Sequence, residues 1–239
     1  MPKTKYDTIY KDLKYKIEKN KYKTQELLPS ENKLITEYNC SRNTVRRAIS
    51  ELIKEGYVQS MQGKGVINIY QPTEQSTFKL GTIESFKESA IRNNQTYSTK
   101  VIKFEYITAD DEIEKLTDFA KGTELLYIQR IHYFDGKALI INHNYFLKEL
   151  ISNLTKDIAE KSIYEYIENV LHINIVTSKR TLTIEKATLT DEKYMDLNDY
   201  NCLAVVSSQT YNSDGIMFEY TQSRHRPDYF KFTDVATRK

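Results

Sequence analysis

At residue 78 the hydrophobic period of this chain changes, and no other feature restricts its fold as much. Up to residue 55 apolar side chains recur three and four apart, whereas from Phe78 onward the pattern becomes one of strands alternating with short helices. A helix repeats its face about every 3.6 residues and a strand about every 2, so the two stretches belong to differently built units. In the first stretch Ile9, Leu13 and Ile17 fall four apart, with Tyr6 and Tyr10 beside them and lysines outside, which predicts an amphipathic helix over 6–19. Pro29-Ser30-Glu31 opens a second helix. Ser30 suits the N-cap, Glu31 suits the positive end of the dipole, and Leu34, Ile35 and Tyr38 point inward. After a turn at Asn39-Cys40, Ser41 caps a third helix over 42–55, striped by Val45, Ala48, Ile49, Leu52 and Ile53 and closed by Gly56. The runs 57–61 and 66–70 then flank Gln62-Gly63-Lys64-Gly65, the pattern of a hairpin with a basic, glycine-rich tip.

Helix, helix, turn, helix, hairpin is the order of a winged helix-turn-helix. The polar segment from Gln71 to Thr77 contains Pro72 and lacks periodicity, so it reads as a linker. Beyond it strands are predicted over 96–107, 124–134, 137–146, 173–187, 202–212, 216–225 and 229–236, with hairpin turns at Asp135-Gly136 and Ser213-Asp214-Gly215. Helices are predicted over 85–93, 109–119, 162–170 and 190–197, with Thr190-Asp191-Glu192 and Thr108-Ala109-Asp110-Asp111 supplying caps. Hairpins with few parallel crossovers argue an α+β domain on a mainly antiparallel sheet. The expected organisation is a DNA-binding domain over 1–70, a linker over 71–77 and a second domain over 78–239.

The net charge of +2 conceals a division. Residues 1–70 hold 14 Lys and Arg against 8 Asp and Glu, or +6, and the remainder holds 21 against 25, or −4. A basic module facing a polyanion, joined to an acidic body with another task, accounts for that asymmetry. No run approaches the roughly 20 apolar residues of a membrane span. Lys3, Lys5 and Lys11 precede no apolar block, so no signal peptide is read and a cytoplasmic protein is expected. Cys40 and Cys202 lie too far apart for a metal motif. His132, His143, His172 and His225 form no catalytic motif, and P-loop, dinucleotide fingerprint and HExxH are all missing. Neither an enzyme nor a metal or cofactor is expected.

A helix entering the major groove needs short polar residues at its start and cations that reach phosphates or guanine edges. Ser41, Arg42, Asn43, Thr44, Arg46 and Arg47 supply both, with Arg42 and Arg46 four apart on one face. Gly63 and Gly65 permit close backbone approach and Lys64 offers a charge there, while Tyr6 and Tyr10 reach the flanking backbone. In the larger domain, Ser85 and Ser162 each begin a helix, where free N–H groups suit an anion and an ordinary cap suits equally. Arg130 and His132 share a strand face, and a guanidinium suits a phosphoryl group. On the strand 216–225, Glu219, Ser223 and His225 share one face and Tyr220 and Arg224 the other.

Pro29-Ser30-Glu31, Ser41-Arg42-x-Thr44-Val45-Arg46-x-Ala48, Leu52, Gly56-Tyr57 and Gly63-Lys64-Gly65 resemble the winged helix of GntR-type bacterial transcription regulators. Asn32 departs from the arginine that many relatives place after Pro-Ser-Glu, which implies a weaker or different contact beside Ser30 and Glu31. Residues 78–239 resemble the UTRA effector-binding domain of the HutC-type branch, a chorismate-lyase-like fold. The motifs are Ile83-Glu84-Ser85-Phe86-Lys87-Glu88, Asn144-Tyr145-Phe146, Ser162-Ile163-Tyr164-Glu165-Tyr166 and Tyr220-Thr221-Gln222-Ser223-Arg224-His225-Arg226. This resemblance implies a homodimeric repressor of a trehalose uptake and utilisation operon, bound to a palindromic operator and released by trehalose-6-phosphate. A glucosamine-type sugar phosphate or a small carboxylate is the alternative effector, and residual lyase chemistry or sequence-indifferent DNA binding are the remoter readings. The implied effector site comprises Ser85, Phe86, Lys87, Arg130, His132, Ser162, Tyr164, Glu219, Arg224 and His225. Phosphate would sit on the Ser85-Phe86 loop, Arg130 and Ser162, with Glu219 and His225 beside the sugar. Where the family has Arg-x-Arg this chain has Arg130-Ile131-His132. A part-charged histidine there implies weaker or pH-dependent phosphate affinity, compensated if Arg224 turns inward.

Overall fold

The helical spacing of the first stretch is realised as α1 (Lys5–Glu18), α2 (Glu31–Tyr38) and α3 (Arg42–Lys54), followed by the antiparallel hairpin β1 (Val58–Met61) and β2 (Gly65–Asn68). The structure is a computed structural model that describes residues 5–71, 77–79, 83–92, 94–233 and 236. Ser30 caps α2 by accepting from the Lys33 N–H at 3.3 Å, and Ser41 caps α3 by accepting from the Thr44 N–H at 3.2 Å. Asn39 leaves α2 with φ 45°, a left-handed turn that an asparagine tolerates. Ile9, Leu13, Leu34, Val45, Ala48 and Leu52 are fully buried and form the core of this unit. Such stripes hold short helices together, because helices of this length are marginal without an apolar face to bury.

The chain divides into two compact units, one built on its first 74 residues and the other on Gln75–Thr233. The second contains β3 (Thr77–Lys79), α4 (Phe86–Arg92), β4 (Tyr97–Thr108), α5 (Asp111–Thr117), β5 (Glu124–Phe134) and β6 (Lys137–Leu147). It continues with α6 (Lys156–Ala159), α7 (Ile163–Asn169), β7 (Ile175–Lys186), α8 (Leu189–Tyr194), β8 (Cys202–Asn212), β9 (Met217–His225) and β10 (Lys231–Thr233). Six of the strands form one wholly antiparallel sheet in the order β4-β5-β6-β9-β8-β7. β10 pairs in parallel with β3 in a separate two-stranded ribbon. The α+β class and mainly antiparallel sheet read from the sequence are what the structure has. Leu126, Ile128 and Phe146 pack under α6 and α7 on one face, and Ile131, Ile141, Leu203 and Val205 pack beside α8 on the other.

Several boundaries differ from the sequence expectation, each for a local reason. Thr188, not Thr190, starts α8, because the Asp191 carboxylate reaches back to the Thr188 N–H at 2.8 Å and completes a capping box. The same helix stops at Tyr194 rather than 197, since Asp196 turns away and accepts from the Ala138 N–H at 2.6 Å. α5 begins after its cap Asp110 and ends where Asp118 adopts φ 66°. A 3-10 turn over Pro227–Tyr229 shortens the last strand to β10, and residues 234 and 235 of that expected strand lie outside the described residues. Of the expected linker, residues 72–76 also lie outside them, and Thr77 is the first residue of β3.

Candidate functional site

The sheet register writes out a polar face strand by strand. One row runs Arg180, Ser208, Thr221, Asn144 across β7, β8, β9 and β6, and the next runs Leu182, Val206, Ser223, Asn142, Arg130 on to β5. A third joins His225 to Ile140 and His132, with Thr99 of β4 at its end. Residues two apart on a strand share a face, so these rows make one surface. Helix α4, the start of α7 and the segment Phe230–Phe232 close over it and leave a cavity of about 320 Å³. That is at the lower end of the range for small-molecule sites.

Inside the cavity a relay of hydrogen bonds joins opposite charges that do not touch. The Arg130 Nε donates to Asn144 Oδ1 at 3.1 Å, and Asn144 Nδ2 donates to Glu219 Oε1 at 3.1 Å and to Thr221 Oγ1 at 2.7 Å. Thr221 Oγ1 donates to Glu219 Oε1 at 2.7 Å, and the Tyr164 hydroxyl donates to Glu219 Oε2 at 2.7 Å. Burial, together with the neighbouring Glu219 charge, holds the Tyr164 hydroxyl well above the usual phenol range. Burial lowers the Arg130 guanidinium to about 10, against the opposing pull of Glu219, so it stays charged at neutral pH. His132 is buried between the Phe86 ring, 4.0 Å away, and Thr99, whose Oγ1 lies 2.9 Å from Nδ1, and its Nε2 has no hydrogen-bond partner among the described residues. Burial and the adjacent Arg130 charge push its pKa well below the ordinary value, and burial takes His225 down to about 3. Both rings are therefore neutral at pH 7.

In the first unit, Arg42, Asn43, Arg46 and Arg47 are exposed along α3. Arg42 Nη2 donates to Asn32 Oδ1 at 3.3 Å and Arg46 pairs with Glu31 at 3.3 Å, so two residues of α2 orient two cations of α3. The Arg47 guanidinium stacks 3.8 Å from the Tyr6 ring, and Ser41 Oγ lies 2.8 Å from Thr44 Oγ1. At the hairpin tip Gly63 and Gly65 have φ 73° and 114°, values that side-chain-bearing residues adopt at a cost, and they hold the exposed Lys64 outward.

Residues 92–231 match the model of the UTRA domain, and residues 5–67 match the bacterial regulatory proteins of the gntR family. The chain belongs to the GntR family of bacterial regulatory proteins. It is 36% identical to the HTH-type transcriptional regulator TreR of Bacillus subtilis (strain 168), covering all of this chain and 99% of that one. The mannosyl-D-glycerate transport/metabolism system repressor MngR of Escherichia coli (strain K12) is 27% identical, over 98% of this chain and 96% of the other. Among solved structures, the B. subtilis trehalose repressor (TreR) effector binding domain aligns with TM-score 0.54 at 34% identity, over 59% of this chain and 99% of that chain. The possible transcriptional regulator YydK of B. subtilis aligns with TM-score 0.80 over 98% of this chain and 100% of that one, and at 18% identity it shows the fold alone. GntR-type regulators bind operator DNA and an effector ligand, and this chain is a regulator rather than an enzyme.

In this GntR-family chain the expected effector residues come together at one cavity, with one exception. Ser85, Phe86, Lys87, Arg130, His132, Ser162, Tyr164, Glu219 and His225 all line the cavity. Arg224 does not: it lies on the opposite sheet face, its Nε donating to Asp191 at 3.0 and 3.1 Å, Nη1 to Glu185 at 2.5 Å and Nη2 to the Lys186 carbonyl at 3.0 Å. Strand alternation forbids the inward turn expected of it. Nor does His132 carry the part-charge expected near neutral pH, because burial removes it. Ser85 and Ser162 are N-caps, accepting from the N–H groups of Glu88 at 3.2 Å and Glu165 at 3.3 Å. Lys87 is ion-paired to Glu165 at 2.6 Å. Tyr10, expected to meet nucleic acid, instead donates to the Glu55 carboxylate, and burial and that bond push its hydroxyl up to about 12. The sequence reading missed Asn144, Thr221, Arg180, Lys161 and Phe232 as lining residues. For Asn144 a signal existed, since Asn142-His143-Asn144 interrupts the apolar residues of β6 with three polar ones in a row and Asn144 is buried among them.

Proposed function

We propose that this chain represses a trehalose uptake and utilisation operon in the cytoplasm, grips its palindromic operator as a homodimer through Arg42, Arg46 and Arg47, and is released by trehalose-6-phosphate. The trehalose assignment draws on full-length similarity to a regulator whose effector domain is named for trehalose. The effector class is carried by Arg130, a charged guanidinium on the cavity wall whose recorded partners are an amide oxygen and the Ala159 carbonyl, not a carboxylate. A phosphoryl group is the planar-fork partner such a cation lacks. Neutral His132 adds an unpartnered Nε2 beside it, and the Glu219 relay offers acceptors and donors to sugar hydroxyls. Two-fold symmetry of the dimer would mirror that of the operator half-sites. Trehalose-6-phosphate acts only through higher affinity for the arrangement that no longer fits that spacing.

Arg130→Ala tests the reading in a gel shift. The variant should bind operator as the wild type does and stay bound when trehalose-6-phosphate is added; release at the wild-type concentration would remove Arg130 from the site. A thermal-shift panel that includes glucosamine-6-phosphate and small carboxylates identifies the effector, because a true ligand stabilises the protein by mass action.

A further inference from the structure

Arg180 has no assigned role, yet it is placed as a functional group would be. It lies on β7, the strand at one edge of the six-stranded sheet, and faces the cavity together with Ser178 and Leu182. Its neighbour Lys179 is on the solvent side of the same strand, where a cation costs nothing. Among the described residues Arg180 has no ion pair and no hydrogen bond, although it is half-buried. None of its nitrogens is buried without a partner, so the guanidinium opens onto the cavity and meets an acceptor supplied by a ligand without first breaking an internal ion pair.

The register gives its distance from Arg130. Four strand steps separate β5 from β7, so the two backbones lie about 19 Å apart along the sheet, at about 4.8 Å per step. Between them stand Asn144 and Glu219 on β6 and β9, and Ser208 on β8 directly opposite Arg180. A phosphate centred on Arg130 is separated from Arg180 along the sheet by Asn144 and Glu219. The face therefore reads in order as cation, amide and carboxylate, then hydroxyl and a second cation, which suits an elongated ligand with one anionic end and oxygen-rich groups along its length. We propose that Arg180, with Ser208, recognises the hydroxyl oxygens of the sugar ring remote from the phosphate, and so makes the pocket select a phosphorylated disaccharide over a phosphorylated monosaccharide. This rests on the sugar-phosphate reading above.

Titration calorimetry on the full chain, with trehalose-6-phosphate and glucose-6-phosphate as probes, separates the two ideas. Glucose-6-phosphate is run as a competitor where direct heats are too small. Arg180→Ala should weaken trehalose-6-phosphate by roughly ten- to a hundred-fold, the usual loss of charged hydrogen bonds. Its affinity for glucose-6-phosphate should stay at the wild-type value. Arg180→Lys, which keeps the charge without the fork, should fall between. Unchanged trehalose-6-phosphate affinity in Arg180→Ala, or an equal loss for both probes, overturns the role given to Arg180 and leaves the sugar-phosphate reading standing. A wild type that binds neither probe overturns both.

Discussion

Arg224→Met distinguishes a ligand-binding cation from a structural one, and the structure gives the expected size. The Arg224 side chain is 4% exposed and Asp191 is fully buried, while the third member, Glu185, keeps 39% of its surface in water. Methionine retains most of the aliphatic stem but leaves the Asp191 carboxylate without its cation. Breaking a buried pair costs about 3–5 kcal/mol. The lower end applies here, because Asp191 still accepts from the N–H and hydroxyl of Thr188 at 2.8 Å each. Glu185 adds little, since an exposed partner is screened by solvent. About 3 kcal/mol on a unit of this size corresponds to a fall of roughly 6–12 °C in its melting temperature. Scanning calorimetry of the full chain reads that fall, and calorimetric titration of trehalose-6-phosphate at a temperature where the variant is folded should give the wild-type affinity. Removing both charges in Arg224→Met/Asp191→Asn should recover part of the loss, because an uncompensated buried charge is what costs most. An unchanged melting temperature with a tenfold weaker effector would show that Arg224 faces the ligand and that the strand parity given to β9 is wrong.

Two further outcomes follow from charges on each unit. Arg46→Ala should weaken operator binding by about 1–3 kcal/mol in a gel shift and lower its salt dependence, and an unchanged midpoint would show that the Arg46 side chain does not reach DNA. Stability should fall in mild acid, because burial lowers His143 to about 4 and His225 to about 3, and lowers His132 as well, against 6.5 in the unfolded chain. The unfolded chain takes up protons that the folded one refuses, so this stability is complete above about pH 6.5 and is lost as pH falls. At pH 5.5 His143 and His225 each cost about 1.4 kcal/mol, or about 3 kcal/mol together, which urea unfolding at pH 7 and 5.5 would detect; a slope that persists unchanged in His143→Gln and His225→Gln would assign it to other groups.

Features written in short-range spacing were legible in the sequence, and those written in strand order were not. Val45, Ala48, Ile49 and Leu52 announce α3 because helical neighbours are three and four apart, and Ser41 announces its start because a cap bonds three residues on. The parity of Glu219 and Arg224 was equally legible and already set Arg224 on the other face, where it pairs with Asp191 instead of turning inward. Nothing local tells that β9 inserts between β6 and β8. That insertion alone places Thr221 beside Asn144 on one side and Ser208 on the other, so the lining residues Asn144, Ser208 and Arg180 could not be assembled from spacing. The cap of α8 was missed for a subtler reason, since both Thr188 and Thr190 precede acids and only the reach of Asp191 decides between them.

The relay through Asn144 also explains why Arg130 and Glu219 share a cavity without neutralising each other. Its amide can be oriented in only one way: Oδ1 must face the guanidinium and Nδ2 the carboxylate, because the flipped amide would set donor against donor at Arg130 and acceptor against acceptor at Glu219. A direct ion pair would satisfy both charges internally and leave the site with little reason to take a ligand. Separated by one amide, each charge is fixed in place by neutral partners, Arg130 by Asn144 and the Ala159 carbonyl and Glu219 by Asn144, Thr221 and Tyr164. Arg130 has five N–H donors, and these two bonds engage only two of them. Held this way, the guanidinium does not have to break a salt bridge before it meets an anion, and the ordering of its side chain, a main cost of binding, is met before the ligand arrives.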